Sequence, residues 1–166
     1  MLFISVASAF GAQEPTMAPP PELKKLQFLV GEWTGKMKWS MPGMTEASDM
    51  PFKVEWEGQF LKTTSTMTMA GMSMVETAYI GWDAKRKDYT SWTFTNFAPQ
   101  PRIEHGKFEG DKFVSVSEPW DVGMGEPTTG RATITKVTDI MVNFMLEFKE
   151  GDKWNKVAEG TFTKKK

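Results

Sequence analysis

The side chains in this chain that could do chemistry are seven tryptophans, thirteen methionines, one histidine and a scatter of carboxylates and arginines. There is no cysteine, which excludes disulfides, thiolate nucleophiles, cysteine-ligated zinc and iron–sulfur clusters. The single histidine, His105, excludes any site needing two imidazoles within one chain. A large amphipathic ring with one N–H suits the wall of an apolar pocket, and serves equally well as core filler. Trp33 and Trp39 are an even number of residues apart and share a strand face; Trp92 and Phe94 share another. These four, together with Trp56, are the candidate wall residues. Trp120 sits on a long loop and reads as a lid.

Methionines cluster at Met37, Met41, Met44 and Met50, and again at Met67, Met69, Met72 and Met74. A two-residue hairpin loop at Ala70-Gly71 sets Met69 opposite Met72 and Met67 opposite Met74, gathering four thioethers on one face. Soft sulfurs so placed suit Cu(I), and suit a flexible apolar lining just as well. His105 falls inside a strand with Ile103 and Lys107 on its face, and reads as a surface or hydrogen-bonded histidine. No nucleophile-elbow pattern accompanies it. Two carboxylates among Glu32, Glu55, Glu57, Glu104, Glu118, Asp121 and Glu147 could split their pKa values in a cavity, although alternation alone also places them on a solvated face. Arg102 and Arg131 are candidates to clamp a ligand carboxylate.

The elements that must position these groups follow from periodicity. Residues 1–13 are apolar and rich in small residues, with signal-peptidase-like sites at Ala7-Ser8-Ala9 and Ala9-Phe10-Gly11, and read as the back half of a secretory leader. The stretch is too short to cross a bilayer. Residues 14–21 form a proline-rich linker. Pro21 opens a short helix whose Leu23, Leu26, Leu29 and Val30 give one apolar stripe, and a helix of about two turns must dock on something to persist. After Gly31 the period becomes two. Strands are expected at Glu32–Ser40, Pro51–Glu57, Gln59–Met69, Met72–Trp82, Asp88–Asn96, Arg102–Glu109, Lys112–Ser117, Arg131–Val137, Ile140–Lys149 and Lys153–Thr163. Tight turns between them argue for an antiparallel meander, and closure removes its exposed edges. Two loops are longer, Met41–Met50 and Glu118–Gly130, and long loops at a barrel mouth carry specificity.

Three segments in order, Leu26 to Trp33, Tyr79 to Tyr89 and Gly106 to Asp111, resemble the lipocalin-like family known as domain of unknown function 1579, over about Leu23 to Thr163. The Gly31-Glu32-Trp33 entrance is more distantly similar to nitrobindin-type haem barrels. Those barrels place their axial histidine late in the chain, and Ile140 to Lys166 has none, so no cofactor is expected. The resemblance implies an all-β fold: a single antiparallel, lipocalin-like (calycin-type) barrel of about ten strands over 22–166, with the N-terminal helix closing one end.

Composition sets the outer limits. With 40% hydrophobic and 25% charged residues and a formal net charge of −1, the chain is globular and lacks the field that attracts nucleic acid or anionic membranes. Lys164 to Lys166 read as a solvated tail. The expected function is non-catalytic binding of a small, mostly apolar molecule inside an exported barrel, periplasmic or extracellular, at Trp33, Trp39, Trp56, Trp92, Phe94, Arg102, Trp120 and Arg131. The two long loops would gate it. The alternatives are Cu(I) handling through the Met67–Met74 hairpin, a carboxylate-based enzyme working inside the barrel, and a structural domain whose barrel is filled.

Overall fold

The computed structural model describes residues 18–41, 47–69, 71–121 and 126–166. The expected leader, residues 14–17 of the linker, and the central parts of both long loops, including Met44, lie outside the described residues.

Leu23–Leu29 form a 3-10 helix. Three residues per turn eclipse positions i and i+3, so Leu23, Leu26 and Leu29 stack on one face, and all three are buried. Such helices rarely exceed a turn or so unaided. This one is held from outside: the Tyr89 hydroxyl donates to the Glu22 carbonyl at 2.7 Å, Trp33 Nε1 donates to the Leu29 carbonyl at 2.7 Å, and Lys164 Nζ donates to the Phe28 carbonyl at 2.9 Å. Trp56 Nε1 also donates to the Gln27 side-chain oxygen at 2.7 Å.

Eleven strands follow: β1 (Gly31–Trp39), β2 (Ala47–Asp49), β3 (Phe52–Glu57), β4 (Phe60–Met69), β5 (Met72–Asp83), β6 (Asp88–Thr95), β7 (Arg102–Glu109), β8 (Lys112–Ser117), β9 (Gly130–Thr138), β10 (Met141–Glu150) and β11 (Lys153–Lys164). From β3 to β11 each strand pairs antiparallel with the next, and β11 pairs with β1. The result is a closed ten-stranded barrel with β2 as an additional outer strand. β2 and β3 share one flank of β1: Lys36–Lys38 face Ala47–Asp49, and Gly31–Trp33 face Phe52–Val54. Pro51, which has no N–H to donate, separates them. Three residues are too few for an alternation to register, so β2 was not among the expected strands.

The helix and the 58–59, 84–87, 110–111 and 139–140 turns share one end of the barrel, and the longer connections crowd the other. The helix plugs the first end. Above it Trp33 stacks on Phe52 (centroids 5.8 Å apart, planes at 11°) and Phe52 meets Phe162 edge-on at 5.2 Å. These rings form a floor.

The seam between β1 and β11 is narrow. Gly35 and Gly160 both lie under the Phe162 ring, and a Cβ on Gly35 would come 2.6 Å from Phe162 Cδ1 and closer still to the Thr161 carbonyl oxygen. Because that oxygen is backbone, the neighbour cannot swing away. Gly35→Ala is therefore expected to cost about 1–3 kcal/mol by overpacking, measured as a lower denaturant midpoint at unchanged slope; an unchanged midpoint would show that the seam has slack.

Candidate functional site

The barrel interior is hollow. A cavity of about 700 Å³ runs from the aromatic floor to the mouth. That volume lies within the range of small-molecule sites.

Its two walls differ. One is large and soft: Met37, Trp39, Met50, Met67, Met74 and Phe52 face inward from β1, β3, β4, β5 and the β2–β3 link. The hairpin register is as the spacing demands, with Met67 opposite Met74 and Met69 opposite Met72. Met67, Met72 and Met74 line the cavity; the Met69 side chain and Ala70 lie outside what is described. The other wall carries small side chains toward the mouth, with Tyr89, Phe113 and Ile134 nearer the plug. Ser91 and Thr93 on β6, Ser115 and Ser117 on β8, and Gly130 and Ala132 on β9 face inward.

Three charged side chains line this cavity among the described residues: Glu76 on β5, and Arg102 and Glu104 on β7. β6 lies between those two strands, so Arg102 must cross about 10 Å, two strand spacings, to reach Glu76. The β6 residues in register with the pair are both threonines, Thr93 opposite Arg102 and Thr95 opposite Glu76. Arg102 Nη1 is 3.5 Å from Glu76 Oε1, and its Nε is 3.6 Å from Glu104 Oε2. Ser91 Oγ donates to Glu104 Oε2 at 3.2 Å. Burial opposes the guanidinium charge, but Glu104 and Glu76 more than offset it and hold the Arg102 pKa above its ordinary value. The same guanidinium lies 5.2 Å over the Trp120 ring.

Trp92 and Phe94 do share a face, but it is the outer one. Trp92 packs edge-on against Phe60 at 6.5 Å, and Phe94 is 50% exposed. Placing them inward would fill the space the arginine spans. Arg131 is likewise an outer-wall residue. Its Nε donates to Glu147 Oε2 at 2.7 Å and its guanidinium lies 4.5 Å over Trp154; the Glu147 hydrogen bond raises its pKa. Trp33 and Trp56 seal the plugged end and do not line the cavity. Of the eight expected wall residues, Trp39, Arg102 and Trp120 face the cavity.

Trp120 is held at the mouth on a doubled-back loop. Its backbone exchanges both hydrogen bonds with Thr128 (2.9 and 3.0 Å), its Nε1 donates to the Gln100 carbonyl at 3.1 Å, and Phe97 packs on it at 5.9 Å. Met41, Met50, Trp120 and Thr128, from the described parts of the two long loops, all line the cavity.

His105 faces outward, between Asp88 (3.5 Å to Nδ1) and Glu118 (3.3 Å to Nε2), beside the Thr90 hydroxyl. Of the suspected acids, only Glu104 faces the cavity. Glu32, Glu55 and Glu57 pair with Lys165, Lys53 and Lys62 on the outside. Glu76 was missed, although the sequence carries its signal: it interrupts the apolar face Met72, Met74, Ala78, Ile80 of one strand.

The chain is thus a closed ten-stranded antiparallel barrel with one outer strand and a short helical plug. Among solved structures the chain is similar to the crystal structure of Rv2717c from M. tuberculosis, at 12% identity with a TM-score of 0.66, over 89% of this chain and 99% of that one. At that identity the likeness speaks for the fold. A redesigned beta barrel aligns at 10% identity over 84% of this chain and 94% of its own length, with a TM-score of 0.39. No curated protein matches the chain. The family model described as protein of unknown function (DUF1579) matches residues 18–164, and the chain belongs to that family.

The Arg102 cluster predicts a coupled response. Arg102→Met leaves two carboxylates without their cation and should cost about 1–3 kcal/mol of stability. In a Glu76→Gln/Glu104→Gln background the same change should cost measurably less. Denaturant melts of the four proteins give the coupling; equal costs in both backgrounds would mean the three groups do not act together.

Proposed function

We propose that this barrel holds a small, mostly apolar molecule non-covalently in its interior, without catalysis. The observation that carries the reading is the cavity itself, about 700 Å³ closed below by an aromatic floor and lined chiefly by apolar side chains. A domain that needed only stability would fill such a space, since packing to native density is what stabilises a core. Methionines on the soft wall suit a guest of variable shape, because an unbranched thioether chain adapts at little cost. The methionine hairpin supports a second reading, Cu(I) binding through Met67, Met69, Met72 and Met74; that reading requires copper affinity to vanish when these four become leucine. The small-residue leader supports export, with the barrel in the periplasm or outside the cell.

If apolar burial drives binding, each added methylene contributes about 0.8 kcal/mol, close to a fourfold gain in affinity. A series of straight-chain alcohols, measured by calorimetry, should therefore tighten about fourfold per carbon until the cavity is full, and then level off. Ala132→Trp places a large ring inside the hollow and should abolish uptake while keeping the melting temperature within a few degrees. Flat affinity along the series, or unchanged uptake in that variant, would place the binding elsewhere or nowhere.

A further inference from the structure

We infer that the guest carries a positively charged, amine-like group that seats against Glu76 and Glu104; this rests on the container reading above and gives it a ligand class. The charge balance of the wall carries the inference. Two carboxylates and one guanidinium are the charged groups lining the cavity among the described residues, so the cluster holds a formal charge of −1. Arg102 spans the two carboxylates at 3.5 and 3.6 Å and is already committed to both. A ligand carboxylate entering here would meet an arginine in use and two like charges. That reverses the role expected for Arg102 as a clamp for an acid.

An ammonium group meets the opposite conditions. The Glu76 and Glu104 side chains retain 18% and 13% exposure, and both line the cavity. Around them stand the hydroxyls of Ser65 and Ser91, cross-strand partners of Glu76 and Glu104, both lining the cavity. A hydroxyl can accept from an N–H as readily as it donates. Hydrogen bonds between an ammonium and a carboxylate are among the strong ones, the more so in a wall that excludes most water.

The guest that fits has an apolar body for the methionine-rich wall and a cationic end for Glu76 and Glu104.

The test uses three probes of equal chain length at about neutral pH, each below its micelle concentration: decylamine, decan-1-ol and decanoate. Calorimetry on the full chain should rank decylamine at least about tenfold tighter than decanol, with decanoate weakest. Glu76→Gln makes the cluster neutral and should bring decylamine to within about threefold of decanol. Glu76→Gln with Glu104→Gln leaves Arg102 alone and should invert the order, so that decanoate binds tightest. Decanol affinity should stay level across all three proteins, which reports that the cavity is intact; should Glu76→Gln fail to fold, Glu104→Gln makes the same neutral cluster. Decanol binding as tightly as decylamine to the unaltered protein would overturn the charge inference and leave the container standing. Failure of all three probes to bind would overturn the container reading, and this inference with it.

Discussion

Seven residue pairs, from Trp33 opposite Lys164 to Trp39 opposite Ala158, join the first strand of the barrel to its last. Without that seam the meander would be an open sheet with two raw edges and one apolar face in water. With it, the same face becomes an inside. The seam is tight because Gly35 and Gly160 yield their side-chain space to Phe162, and Phe162 in turn completes the floor with Phe52 and Trp33. Two missing side chains thus connect the closing of the sheet to the sealing of one end.

The hollow is kept open by an uneven distribution of volume. Toward the mouth, Ser91, Thr93, Ser115, Ser117, Gly130 and Ala132 line one side and Met37, Trp39, Met67 and Met74 another, while Tyr89, Phe113 and Ile134 occupy the plugged half. An even mixture of medium-sized side chains would fill the space. Arg102 also has its path there: Thr93 and Thr95 on β6 stand in register with it and with Glu76, a carboxylate two strands away. The polar cluster and the cavity therefore have one cause, and a bulky inward residue on β6 would remove both.

Much of the architecture was legible in the sequence. Ten strands were placed with every end to within one residue, because alternation and turn residues are local signals. The helix stripe was legible too, though its 3-10 winding was not: three-residue and 3.6-residue periods coincide over two turns. Parity was readable, but facing was not. Trp92 and Phe94 share a side by spacing alone, yet which side depends on what crosses from the neighbouring strands. Hydrophobicity favoured the inside, but Tyr89, Ser91 and Thr93 take the inward positions of that strand. Glu76 and Glu104 show the same limit from the other direction, since no spacing rule links two strands that do not pair.

Chain direction adds a last point. The 3-10 helix and the final residues of β11 meet at the plugged end, where Lys164 holds the Phe28 carbonyl and the Lys165 amide donates to the Glu32 carbonyl at 2.8 Å. The polypeptide thus enters and leaves the domain at its sealed pole. A tether attached on either side, whether a lipid, a surface or a fused neighbour, would hold the barrel like a cup by its foot, with the rim turned outward to the surroundings.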